Sequence, residues 1–177
     1  MNSLWARVEP LLARVQKPAR YIGCEDGAAT PRYSPGKVSC LLAYPDTYEI
    51  GLPNQGLQIL YEILNERDDS VAERAYAPWN DLEALLRERA VPLFSVDTHR
   101  AAGEFDLLAF NLSAELVYTN VLNMIDLAGV PVRAAFFEIP PLRADGKPRL
   151  LVLGGSQGSQ RINRLMPEVL APLFDRM

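Results

Sequence analysis

Gly154-Gly155-Ser156-Gln157-Gly158 is the segment of this sequence best suited to chemistry. It follows an apolar strand candidate, Arg149 to Leu153. It precedes a helical stripe of Ile162, Leu165, Met166, Val169, Leu170 and Leu173, which Pro167 must break or kink. A strand, a glycine turn and a helix leave free backbone N–H groups at the helix N-terminus, and such groups bind anions. Glycine lets a ligand approach the backbone, and Ser156 adds a hydroxyl donor. The segment is not a P-loop, because no Gly-Lys-Ser/Thr follows, and it is not Gly-x-Gly-x-x-Gly either. A phosphate ligand and a ligand-free strand-to-helix turn both satisfy this spacing.

Two more groups of reactive side chains follow apolar strand candidates. Asp46, Thr47, Tyr48, Glu49 and Gly51 come after Val38–Tyr44 (VSCLLAY), and Ser113, Glu115, Tyr118 and Asn120 come after Phe105–Leu112 (FDLLAFNL). In an open parallel sheet, ligands bind outside the carboxyl ends of the strands. All three groups are therefore expected to face one crevice.

The single histidine, His99, stands in Asp97-Thr98-His99-Arg100-Ala101-Ala102-Gly103. This is one residue longer than the Asp-x-His-x-x-Gly signature of cobalamin ligation and follows the wrong strand, so a solvated loop histidine is expected. Glu115 and Asp126 are eleven apart on one expected helix and read as solvated or capping groups. Cys40 lies inside an apolar strand and reads as an inert core thiol. Cys24 lies in a connecting arm with no catalytic motif beside it. Two cysteines are too few for a Cys-ligated metal site, and no metal site is expected.

The elements that position these groups follow from periodicity. Leu4, Val8, Leu11, Leu12 and Val15 form one helical stripe, ended by Pro18. Residues 18–37 hold three prolines and three glycines and read as an arm. After the first strand, Leu57, Leu60, Tyr61 and Leu64 predict a helix with Pro53 near its start. Val71–Ala77 is a weaker strand candidate. Asn80 or Asp81 is expected to cap a helix carrying Leu82, Leu85 and Leu86. Val91–Val96 is expected to be a strand. A helix over 114–128 buries Val117, Val121, Met124, Ile125 and Ala128 and ends at Gly129. Val132–Phe137 is a short strand candidate before a Pro-rich turn. Strands alternating with helices predict an α/β fold, an open parallel sheet of about five strands with helices on both faces. The N-terminal helix and arm occupy 1–37, and a single domain occupies 38–177.

Composition narrows the classes. The chain has 177 residues, 49% apolar and 23% charged, and can bury a core without disulfides. Its net charge of −4 gives a nucleic-acid partner no general electrostatic support. No apolar run approaches the roughly 20 residues of a membrane span, and no signal-peptide pattern opens the chain. A cytoplasmic location is the expectation. The 132–141 stretch, with Phe136-Phe137 and Pro140-Pro141, is an expected edge and a candidate dimer contact.

Residues 1 to about 130 resemble the N-terminal region of a radical SAM protein family with a cobalamin-binding-like domain. The matching stretches are Gln16–Gly23, Tyr44–Gly51, Gly56–Tyr61, Tyr76–Trp79 and Tyr118–Met124. The resemblance implies a Rossmann-like or flavodoxin-like domain ahead of a radical SAM barrel. In the parent family it implies cobalamin, S-adenosylmethionine and a [4Fe–4S] cluster. Such a cluster needs Cys-x-x-x-Cys-x-x-Cys, which two cysteines sixteen apart do not supply, so no cofactor is expected in this chain.

From about residue 131 onward, Pro131-Val132-Arg133, Leu151–Ser159, Ile162-Asn163 and Met166–Glu168 resemble another family. It is that of the lipid-II N-acetylglucosaminyltransferases of peptidoglycan synthesis, in glycosyltransferase family 28. This resemblance implies the start of a UDP-N-acetylglucosamine-binding domain, with Arg133 and Ser156 touching the nucleotide sugar. The sequence thus reads as a chimera of 38–130 and 131–177, lacking the catalytic machinery of both parents. It is expected to be a non-catalytic module or a UDP-sugar-binding fragment.

Overall fold

VSCLLAY has no alternation of polar and apolar residues, so a strand formed from it must be covered on both faces. It forms β1 (Val38–Tyr44), and all its residues after Val38 are buried. A computed structural model describes residues 3–31, 33–34, 36–129 and 149–154. Around β1 stand β2 (Ser70–Tyr76), β3 (Leu107–Leu112) and β4 (Arg149–Gly154), all parallel, in the order β2-β1-β3-β4. The chain leaves β1 to one side to make β2, then returns to the other side to make β3 and β4. This is the beginning of the flavodoxin-like order, and the direction reverses between β1 and β3.

The crossovers place helices on both faces. α3 (Gln55–Glu66) joins β1 to β2, and its Leu57 and Tyr61 pack on Cys40, Leu42, Ala72 and Tyr76. Asn54 caps it, accepting the Leu57 N–H at 2.9 Å. α4 (Asn80–Glu88) and α5 (Tyr118–Leu127) cover the opposite face together with α1 (Trp5–Leu12). There Leu82, Leu86, Met124, Ile125 and Val8 pack with Leu41, Ala43, Leu108 and Phe110. Pro10 removes a helical N–H in α1, and the helix stops at Leu12, short of the stripe that runs to Val15. Gly129, with φ +71°, ends α5 as its position predicts.

The structure departs from the expected elements in three places. First, Val91–Val96 is not a strand of the sheet. Val91, Leu93, Phe94 and Val96 are buried, but Pro92 has no N–H to give a ladder, and the backbone turns back so that Phe94 bridges Ala101. A short apolar run does not distinguish a strand from a buried loop. Second, the described residues contain four strands rather than about five; Val132–Phe137 lies outside them. Third, Asn80 and Asp81 sit inside the first turn of α4, and the cap position is Trp79. Asp81 instead accepts the Gln16 N–H at 2.9 Å, which ties the arm to α4.

Phe110 is fully buried between β1, β4 and the helices of one face. Phe110→Ala is expected to cost about 3–5 kcal/mol through lost burial and the cavity left behind. The midpoint and slope of urea unfolding measure it.

Candidate functional site

The reversal between β1 and β3 opens the sheet at their carboxyl ends, where a ligand of such a fold sits. Ser113 and Asn120 of the second expected group reach the end of β1 there, just ahead of the first group. The Tyr44 and Ser113 hydroxyls are 3.1 Å apart, and Asn120 Nδ2 donates to the Pro45 carbonyl at 2.9 Å. Asn111 Nδ2 donates to Asn54 Oδ1 at 3.1 Å, which joins β3 to the start of α3. Asp46 accepts the Thr47 N–H at 2.7 Å and holds the turn into α2 (Tyr48–Gly51). Tyr118 is half-exposed and Glu115 exposed beside this rim. Of the third group, Gly154 pairs in register with Leu112, so β4 ends at the same rim. Gly155, Ser156, Gln157, Gly158 and Arg133 lie outside the described residues.

Glu49 departs from the crevice. It accepts from Arg20 Nε at 2.9 Å and from Lys17 Nζ at 3.1 Å, both in the arm. The Arg20 hydrogen bond, helped by Lys17, holds its carboxyl at about 2. Arg20 also lies 5.1 Å from the Trp79 ring centroid, and the Tyr21 hydroxyl accepts the Trp79 N–H at 3.1 Å. Glu115 and Asp126 do not share one helix. Glu115 is in a separate 3₁₀ turn, and Asp126 pairs with Arg87 at 2.8 Å.

Sequence reasoning missed a buried polar cluster along the edge strand β2. Glu73 and Arg74 point to opposite faces, as successive strand residues do. Glu73 is 0% exposed, on the face of α4 and α5. It accepts hydrogen bonds from Ser95 at 2.5 Å, from Thr98 at 2.8 Å and from the Tyr33 hydroxyl. Arg74 is 5% exposed, on the face of α3. It pairs with Asp97 at 2.7 Å and Glu25 at 2.8 Å, and lies 4.6 Å from the Tyr61 ring centroid. Tyr61 donates to Asp97 at 3.0 Å. Burial pushes the Asp97 carboxyl up, against the pull of Arg74. The Val96 N–H pairs with the Arg74 carbonyl, and Asp97 accepts the Arg74 N–H, so residues 95–98 close the open edge of β2. A charged pair in the middle of a strand candidate was the signal available.

His99 is buried, at 7% exposure, not solvated as its polar loop suggested. Its Nε2–H donates to the Tyr21 carbonyl at 2.8 Å, and its ring sits between Trp5 and Phe94. With Nε2 engaged and the ring buried against Trp5 and Phe94, His99 is not presented as a cobalamin ligand. The cysteines do not fit an iron–sulfur cluster: Cys40 is buried in β1, where burial pushes its thiol up to about 12, and Cys24 is exposed in the arm. Among the described residues, no three His, Cys, Asp or Glu side chains are grouped to hold a metal ion.

Arg74→Leu leaves Asp97 buried without its cation. The expected loss is about 3–5 kcal/mol, measured by urea unfolding followed through tryptophan fluorescence.

Comparison with known proteins adds two likenesses. Residues 56–177 match the family described as "Radical SAM proteins, N-terminal". The match passes through residue 130, where the second resemblance begins. Curated relatives are UDP-N-acetylglucosamine--N-acetylmuramyl-(pentapeptide) pyrophosphoryl-undecaprenol N-acetylglucosamine transferases. The one from Cellvibrio japonicus (strain Ueda107) is 40% identical over 73 residues, covering 38% of this chain and 19% of the relative. That from Sorangium cellulosum (strain So ce56) is 47% identical over 47 residues, covering 27% and 12%. That from Pseudomonas fluorescens (strain Pf0-1) is 35% identical over 88 residues, covering 46% and 25%. The chain thus spans at most a quarter of the length of these three relatives. No solved structure matches the chain. The family match covers more than half of the residues, and with the parallel sheet it shows that the chain belongs to the family of radical SAM protein N-terminal regions.

Proposed function

We propose that this chain is a non-catalytic Rossmann-like module of a radical SAM protein, working in the cytoplasm and carrying no cofactor of its own. The observation that carries the reading is the family match over 56–177 on a sheet whose direction reverses between β1 and β3. The sequence supplies two cysteines, one of them inside β1. The reading extends the sheet to about five strands by adding Val132–Phe137, and it makes the 132–141 stretch a dimer edge. No helix among the described residues is long and apolar enough to cross a membrane. After anaerobic reconstitution with iron and sulfide, the chain is expected to show neither stoichiometric cluster absorbance nor S-adenosylmethionine cleavage. A stoichiometric cluster that cleaves S-adenosylmethionine would overturn the reading.

A second reading is supported by the transferase relatives and by the place of Gly154. In it, the Gly154-Gly155-Ser156-Gln157-Gly158 turn holds the diphosphate of a UDP-sugar and Arg133 assists. Millimolar UDP-N-acetylglucosamine is then expected to shift the amide resonances of Gly155–Ser159. Ser156→Ala removes one donor and weakens binding by about 1 kcal/mol. Unmoved resonances would sink this reading.

A further inference from the structure

α3 carries two apolar stripes. Leu57 and Tyr61, with the partly buried Leu60 and Leu64, lie on the sheet. Gly56, Ile59, Leu60 and Ile63, at i, i+3, i+4 and i+7, make a second stripe along one flank. Ile59 is 55% exposed and Ile63 49%. This flank faces β3. A Cβ at Gly56 would lie 3.8 Å from Asn111 Nδ2 of β3, whereas Asn65, on the opposite side of the helix, donates to the Ala72 carbonyl of β2 at 3.0 Å.

The same side of the sheet is short of cover. Strands stand about 4.8 Å apart and a helix is about 10 Å wide, so four strands take about two helices on each face. The face of Leu41 and Phe110 has α1, α4 and α5. On the face of Leu42 and Ala109, α3 is the one described helix of eight residues or more. It lies over β1 and β2. The half made by β3 and β4, where Ala109 pairs with Leu151, has no described helix.

The sequence holds one helical stripe that no described element uses: Ile162, Leu165, Met166, Val169, Leu170 and Leu173. β4 brings the chain to the rim at Gly154, beside Leu112. From there residues 155–161 span at most about 23 Å, more than the roughly 10 Å between packed layers. A helix over 162–173 is about 18 Å long and matches α3, which has 12 residues. We propose that this stripe docks along the Gly56–Ile63 flank, parallel to α3, and covers the β3 and β4 half of that face. Gly56 lets the two axes approach closely, because axis separation follows side-chain size at the contact. Pro167 lies off the stripe and bends or divides the helix locally. The radical SAM-like and transferase-like parts then share one core. The docking does not depend on whether the Gly154–Gly158 turn holds a phosphate.

The test uses the full chain carrying Cys24→Ser; Cys40 is buried in β1 and stays. Counted from the rim, Ile63 is level with Leu170 and Ile59 with Met166. Under mild oxidation, Ile63→Cys with Leu170→Cys is expected to close a disulfide within one chain, read by mass spectrometry of unreduced peptides. Ile59→Cys with Met166→Cys is a second pair in case the first does not fold. Leu122→Cys with Met166→Cys is expected to stay open, because Leu122 is on α5, across the sheet. Ile63→Asp is expected to lower the melting temperature by about 5 °C, and Leu122→Asp to leave it within about 2 °C. A disulfide in the Leu122 pair alone would seat the stripe beside α5, and one between two copies would make the flank a contact between copies. Either result, α3 pairs that stay open, or an Ile63→Asp chain that melts unchanged would overturn the proposal.

Discussion

Two neighbours in the edge strand, Glu73 and Arg74, are ionisable, buried and aimed at opposite faces of the sheet. An ionised group taken out of water without partners costs several kcal/mol. The sheet itself offers neither residue a partner, so both must be satisfied from outside it. The arm and the loop before β3 do this together. Ser95 and Thr98 serve one face and Asp97 the other. Tyr33 and Glu25 divide the arm in the same way. The arm therefore passes around the edge of β2 from one face to the other. The irregular course of 22–31 and 91–101 is what this requirement looks like in the backbone.

Much of the fold was legible because apolar pattern and sterics agree with it. VSCLLAY and FDLLAFNL supply the two inner strands of the described sheet, the α3 stripe is the α3 helix, and Gly129 ends α5. Val91–Val96 was misread because burial, not strand pairing, is what an apolar run reports. The crevice was partly legible. The rule that ligands gather at strand ends pointed to Asp46 and its successors and to Ser113 and Asn120; in the structure Ser113 meets Tyr44 and Asn120 meets Pro45, just ahead of Asp46. It failed for Glu49, because Lys17 and Arg20 draw it toward the arm. The β2 cluster was illegible in a different way. Arg74 and Asp97 are 23 residues apart, and no local period links them.

The stretches that carried the first resemblance prove to be spatial neighbours. Arg20 and Tyr21 in one, Glu49 in another and Trp79 in a third make a single knot of ion pair, ring contact and hydrogen bond. Asn120, from the last stretch, donates to Pro45, in the same stretch as Glu49. Short motifs spread over the chain thus mark contacts that assemble the arm, α2 and the switch point. Trp79 and Asn120 lie within the family match over 56–177, and Arg20, Tyr21, Pro45 and Glu49 precede it.

The arm's partners also set an order of events. Tyr21 meets His99 across 78 residues, and Tyr33 meets Glu73 across 40. During synthesis the arm emerges before residues 95–99, and its anchors are complete only after they have followed. Contacts of such long sequence separation form late and slowly, because loop closure precedes any gain. Until then the arm is a tether without a mooring, and the edge of β2 is open to any other strand that finds it.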